Sequence, residues 1–188
     1  MKGKLFILSG PSGVGKGTVR ESMMKDPSLN LTYSISMTTR KPREGEFDGV
    51  HYFFVSEEEF KKAIENDDLL EYACFVANYY GTPKSFVDKL LESGKNVLLE
   101  IEVQGTMQVV KKCPDAITIF MMPPSFEELE RRIRGRRSEP EEIVLQRLTK
   151  AQREMKLQDN YKYVVVNDTI ENASQKIAKI IVDESMKD

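Results

Sequence analysis

Cysteine and histidine are nearly absent from this chain of 188 residues, which holds only Cys74, Cys113 and His51. Two cysteines so far apart in sequence make neither a disulfide framework nor a zinc site. They fit reduced thiols in a cytoplasmic compartment. His51 reads as a loop residue, which leaves no histidine to act as a catalytic base. No stretch approaches the ~20 apolar residues of a membrane span, and the opening residues run into an apolar segment without the pattern of a secretory signal. A formal net charge of −2 argues against general affinity for nucleic acid or anionic membrane. Repeats and low-complexity linkers are missing too. What is present, 40% apolar and 31% charged residues, is the composition of a soluble globular protein, long enough for one domain with a substantial core.

The most informative segment is Gly10-Pro11-Ser12-Gly13-Val14-Gly15-Lys16-Gly17-Thr18. It follows the apolar run Leu5-Phe6-Ile7-Leu8-Ser9, read as a buried strand, and leads into a stretch able to be helical. Strand, glycine-rich loop and helix start form the context in which G-x-x-x-x-G-K means phosphate binding. Glycines let successive N–H groups converge on one concavity, the helix N-terminus adds its positive dipole end, and Lys16 supplies an ammonium for the outer phosphates. The position after the lysine is Gly17, where a Ser or Thr hydroxyl would ordinarily reach Mg²⁺. This leaves the ion to Thr18, to water or to a carboxylate elsewhere, with Glu100 a candidate for orienting its waters.

Further short apolar runs at 96–101, 116–121 and 163–167 read as strands covered on both faces. Helices are expected between them. Thr82-Pro83 offers a cap and a first-turn proline, with Gly94 closing that helix. Ser125-Phe126-Glu127-Glu128 and Ser138-Glu139-Pro140-Glu141 are capping-box patterns. The last helix is expected over 170–186. This alternation predicts an α/β fold, a parallel sheet flanked by helices. The region 33–80 breaks the rhythm as a β-rich insertion with a short helix opening at Ser56. The charged stretch 131–147 reads as a flap. The boundaries expected are a core at about 1–32, 83–130 and 156–188, an insertion at about 33–82 and a helical lid at about 131–155.

Within the insertion, Arg40 and Arg43 flank Pro42. Guanidinium forks suit phosphate, although such a loop alone reads as a solvated basic surface. Its neighbours change that reading. The loop Gly10–Thr18, Ser36-x-Thr38-Thr39-Arg40-x-Pro42-Arg43-x-Gly45-Glu46, Gly49-Val50-His51-Tyr52-Phe53-Phe54, Glu71-Tyr72-Ala73, Asn78-Tyr79-Tyr80-Gly81-Thr82, Glu100-Ile101-Glu102-Val103-Gln104-Gly105, Arg134-Gly135-Arg136 and Val165-Val166-Asn167-Asp168 together resemble the guanylate kinase family over nearly the whole chain.

The resemblance implies a P-loop phosphotransferase that moves the γ-phosphoryl of ATP, with Mg²⁺, to GMP and also dGMP, in purine nucleotide recycling. No obligatory protein partner is implied. By similarity Arg40, Arg43, Tyr52 and Tyr80 hold the acceptor phosphate, and Ser36, Glu71, Thr82 and Glu102 read guanine. A carboxylate suits guanine's ring N–H and exocyclic amine, and would repel adenine by leaving its own oxygen unpaired. Lys16 holds the donor's β- and γ-phosphates with the loop amides, Arg132, Arg136 and Arg147 match positions that close over the transferring group, and Asn167 one near the adenine. Two departures stand out: Glu102 where the family often has Asp, and Arg137 where it usually has Gly. Rival readings are a non-catalytic phosphopeptide-binding module, opposed by the intact Gly15-Lys16 loop, and a kinase for another nucleoside monophosphate, opposed by Glu71 with Ser36 and Thr82.

Overall fold

The apolar run before the glycine loop becomes β1 (Leu5–Ser9), the middle strand of a five-stranded sheet. The structure is a computed structural model and describes residues 2–135 and 140–187. Arg136, Arg137 and the Ser138-Glu139 half of the second capping pattern lie outside the described residues. On either side of β1 lie β7 (Asn96–Glu100) and β8 (Ile117–Met122), with β2 (Leu31–Tyr33) and β9 (Tyr163–Val166) at the two edges. All four pairings are parallel. The edge strand β2 was not foreseen. Tyr33, read as opening the insertion, closes this core strand and pairs with Leu98.

Both faces are covered along the three central strands, which is why these read as continuous apolar runs, whereas the edge strand β9, expected to be covered on both faces, leaves Val164 and Val166 exposed. Phe6 and Leu8 point into one core, with Leu98, Ile119 and Met121, against α1 (Lys16–Met23), α5 (Phe126–Arg134), α6 (Glu141–Met155) and α7 (Ile170–Ser185). Leu5 and Ile7 point into the other, with Val97 and Leu99, against α3 (Lys84–Glu92) and α4 (Val103–Lys112). Each such side chain contributes ~1.5–3 kcal/mol on burial, against ~0–1 kcal/mol for an exposed ion pair, so these two clusters fix where the strand ends lie.

The insertion forms a second sheet in the order β4 (Phe53–Phe54), β3 (Met37–Thr38), β6 (Asn78–Pro83), β5 (Leu69–Phe75). Helix α2 (Glu57–Glu65) covers it through Phe60, which stacks on Tyr79 at 5.2 Å. Helix α2 opens after Ser56, where the sequence places a helix start, and Ser56 closes a full capping box with Glu59. Two expected helix starts behave differently. Ser125 accepts from the Glu128 N–H, but the Glu128 carboxylate turns to Arg131 and Arg132 instead of closing the box. Thr82 does not cap α3 at all: it ends inside β6, and its hydroxyl is taken by Glu71. The β5–β6 turn has Val76 and Ala77 at φ 47° and 60°, the left-handed pair that a two-residue hairpin requires.

Candidate active site

The phosphate loop leaves the C-terminal end of β1, where strand order reverses between β7 and β8, the usual ligand crevice of an open parallel sheet. Register places Leu8 beside Glu100, so the end of β7 brings that carboxylate to the loop. The loop bends through Gly10, Gly13 and Gly15 at φ 147°, 86° and 98°. At Gly13 a side chain is excluded twice, by that φ and because a Cβ would stand 2.8 Å from Ile133. Helix α1 opens at Lys16 with no side-chain cap, leaving its first N–H groups to the concavity. The resulting cavity, about 350 Å³, is lined by Gly10, Ser12, Gly15, Lys16, Glu100 and Glu154 among others. Thr18 and Gly17 border it as well.

Several of the residues singled out from sequence converge on this loop. Lys16 Nζ curls back onto the carbonyls of Gly10 (2.7 Å) and Pro11 (3.2 Å), and burial pushes its pKa down, with Glu100, Glu154 and Glu102 pulling it back up. Arg147 Nη2 donates to Ser12 Oγ at 2.8 Å. Arg132 donates to the carbonyls of Val14 and Asn167, both at 3.3 Å, and is held by Glu128 at 2.9 Å. Asn167 is buried at 3% exposure, and its amide donates to Val14 O at 2.7 Å, so it braces the loop from beneath.

A second cavity of about 470 Å³ lies against the first and shares Glu100, Ile101 and Glu102 with it. Ser36, Tyr52, Glu71 and Tyr80 line it. Glu71 is 7% exposed. Its Oε1 accepts a 2.6 Å hydrogen bond from Thr82 Oγ1. Burial pushes its pKa up, the Thr82 bond lowers it in part, and Glu102 raises it further. A Cβ on Gly105 would come within 2.7 Å of Glu71 Oε2, so that glycine makes room for the carboxylate. Glu102, just before α4, faces α6: Lys150 Nζ donates to its Oε2 at 2.7 Å.

The arginine loop is partly drawn in. Arg40 makes a two-pronged pair with Glu46, both bonds at 2.9 Å, and lies 5.3 Å from the Tyr52 ring, which meets Tyr80 edge-on at 6.2 Å. Hydrogen bonds from Arg40, then from the Arg43 backbone, hold Glu46 at a pKa of about 2. Arg43 itself is exposed on the loop and does not line the cavity.

Two residues that sequence reasoning passed over, Arg20 and Lys150, belong to the site. Arg20 lines the second cavity, pairs with Glu100 Oε2 at 3.0 Å and sits 4.3 Å above the Tyr33 ring. Its position four residues after Lys16, on the same helix face, was the available signal. Magnesium fits the junction through oxygen chemistry. With no side chain at Gly17, Glu100 Oε1 lies 3.8 Å from where a Cβ would stand, offering a hard donor of the kind this ion prefers. Among the described residues no group of three or more His, Cys, Asp or Glu would hold a metal unaided.

The chain's similarities to known proteins agree on one family. The family model described as guanylate kinase covers residues 2–184. The chain belongs to the guanylate kinase family. It is 55% identical over 186 residues to the guanylate kinase of Latilactobacillus sakei, covering 99% of this chain and 92% of that one. It is 56% identical over 187 residues to the guanylate kinase of Mycoplasma mycoides, where it spans 63% of the relative's length. Its fold matches the crystal structure of guanylate kinase from Anaplasma phagocytophilum with a TM-score of 0.77 and 34% identity, over 99% of this chain and 88% of that one. A shikimate kinase from Bacteroides thetaiotaomicron, 14% identical with a TM-score of 0.51, shares the fold alone. Family membership makes this protein a nucleotide-binding kinase, and no helix among the described residues is long and apolar enough to cross a membrane.

Proposed function

We propose that this protein transfers the γ-phosphoryl group of ATP to the phosphate of GMP, and of dGMP, giving ADP and GDP. The observation that carries this reading is the meeting of two cavities at Glu100-Ile101-Glu102, one built around Lys16 and the glycine loop, the other around buried Glu71. A GMP phosphate oxygen, already ionised near neutral pH, attacks the γ-phosphorus. The bond from that phosphorus to the oxygen bridging the β-phosphate breaks, and ADP leaves with the negative charge. No proton need be removed, which suits a chain whose one histidine, His51, bonds a neighbouring backbone N–H.

Catalysis is then positioning and charge neutralisation. Lys16 and the loop amides hold the donor's β- and γ-phosphates. Arg132, Arg147 and Arg136 gather on the transferring group, Arg132 and Arg147 exchanging their present partners for phosphate oxygens. Arg40, Arg43, Tyr52 and Tyr80 hold the acceptor phosphate, Arg40 already pre-formed by Glu46. Ser36, Glu71, Thr82 and Glu102 take the guanine edge, and Asn167 supports the loop beside the adenine. Thr18 and Glu100 are the groups that would hold Mg²⁺ or its waters. When bound, the ion neutralises phosphate charge. The three parts drawn from sequence, a core, a GMP-binding insertion and a lid, are the units we infer to move on binding. We assign the work to the cytoplasm, where Cys74 and Cys113 stay as the free thiols they are here.

The test is ADP formation with ATP and, in turn, GMP, dGMP, AMP, UMP and CMP. Activity confined to the two guanine nucleotides is expected. Comparable rates with AMP or UMP would remove the guanine assignment.

A further inference from the structure

One face of α6 carries Arg147, Lys150 and Glu154, the i, i+3 and i+7 spacing that lines up side chains along a helix. Arg147 reaches Ser12 in the phosphate loop. Glu154 borders the donor cavity, and its Oε1 lies 3.8 Å from Lys150 Nζ. Lys150, between them, crosses to the other cavity and donates to Glu102 Oε2 at 2.7 Å. We infer that Lys150 is a positioning residue for guanine: by holding Oε2 of Glu102 it presents Oε1 to the exocyclic amine of the base. This rests on the reading of Glu102 as a guanine-facing residue.

The donor count of the base supports the assignment. The guanine edge that a carboxylate recognises carries three N–H donors, one on the ring and two on the amine. Glu71 can take two of them side by side, which leaves one amine N–H for a second acceptor. Glu102 is the other carboxylate on this cavity with an oxygen to give, since Glu100 pairs with Arg20 through Oε2 and turns Oε1 towards Gly17 in the phosphate loop. The Glu102 side chain is 60% exposed and has three rotatable bonds, so without an anchor its oxygens would sample many directions. Lys150 is that anchor. An ammonium bond uses one oxygen and leaves the lone pairs of the other. Burial works against the Lys150 charge, but Glu102 and Glu154 outweigh it and keep the ammonium charged.

The experiment compares Lys150→Met and Lys150→Arg in the full chain. Its two readouts are the KM for GMP and the inhibition constant of inosine monophosphate, which lacks the exocyclic amine. Lys150→Met should raise the GMP KM about three- to fivefold, the size expected when an exposed ion pair is lost. It should leave kcat, the ATP KM and the inosine monophosphate constant within twofold, and Lys150→Arg should restore the GMP KM. Equal weakening of GMP, inosine monophosphate and ATP would mean that Lys150 merely supports the helix, and a lower GMP KM would mean that it obstructs the pocket. Either result overturns the proposal. Glu102→Ala separates the two layers: if it leaves the GMP preference over inosine monophosphate intact, the reading of Glu102 fails. If it erases that preference while Lys150→Met does not, only the role of Lys150 fails.

Discussion

Glu71 on β5 and Gly105 on α4 meet in the wall of the second cavity, where a methyl group on Gly105 would stand 2.7 Å from Glu71 Oε2. Helix and strand are thus packed closely enough that Gly105 bounds one oxygen of the carboxylate while Thr82 holds the other. Gly105→Ala should therefore displace Glu71 and raise the GMP KM by roughly 10- to 100-fold, the scale of an ångström-sized misplacement. ATP binding, measured by calorimetry, should be unchanged, and a matching loss of ATP affinity would show that the substitution disturbs the whole crevice.

Protonation of Glu71 gives a pH signature. Its pKa is raised by burial, so on acidification it takes up a proton before an ordinary carboxylate would. The protonated acid loses the acceptor lone pair that guanine's N–H groups need. Guanosine, which has no phosphate of its own to titrate, should bind progressively less well as pH falls, the loss starting above ~4.5. Glu71→Gln should flatten the profile, and a profile identical in both proteins would point to another group.

In the proposed mechanism Lys16 combines a catalytic role with a folding penalty. Burial lowers its pKa, which means the folded protein disfavours the ammonium it requires. Lys16→Met should lower kcat by ~10³-fold, as removal of a charge that neutralises a transferring phosphoryl group does. Its melting temperature should match or exceed that of the parent protein. A large fall in melting temperature would mean that the lysine's bonds to Gly10 and Pro11 hold the loop together.

Not every ion pair here belongs to the site. Glu184 on α7 is 3% exposed, and although burial pushes its pKa up, Lys162, Lys187 and the Tyr163 hydroxyl bring it to about 2. A carboxylate depressed in the folded state adds stability above its unfolded pKa of ~4.5, and that stability is lost as pH falls through the folded value. Glu184→Gln should lower the melting temperature at pH 7. The gap between the two proteins should narrow as pH drops from 4.5 towards 2, while kcat at pH 7 stays unchanged.

The legible parts of this chain were those in which one local pattern dictates one geometry. The loop Gly10–Thr18 is such a case, because glycines at fixed offsets before a lysine permit few backbone paths, and the capping box at Ser56 is another. Parallel strands announced themselves as unbroken apolar runs. Thr82-Pro83 misled because a hydroxyl before a proline suits a helix cap, whereas the buried Glu71 carboxylate competes for the same hydroxyl and wins. The three-residue strand Leu31–Tyr33 carried too little periodicity to be seen apart from the turns around it. Lys150 and Arg20 were passed over for a different reason. Both are ordinary helix-surface residues by sequence, and only the meeting of separate elements gives each its carboxylate, Glu102 and Glu100.

The most direct test of the whole account follows the phosphorus. The protein is incubated with Mg²⁺, GMP and ATP labelled at the γ-phosphate, and the products are separated. The account predicts label in the β-phosphate of GDP, in step with ADP formed and with little free phosphate. Label released as inorganic phosphate at the same rate with or without GMP would contradict it.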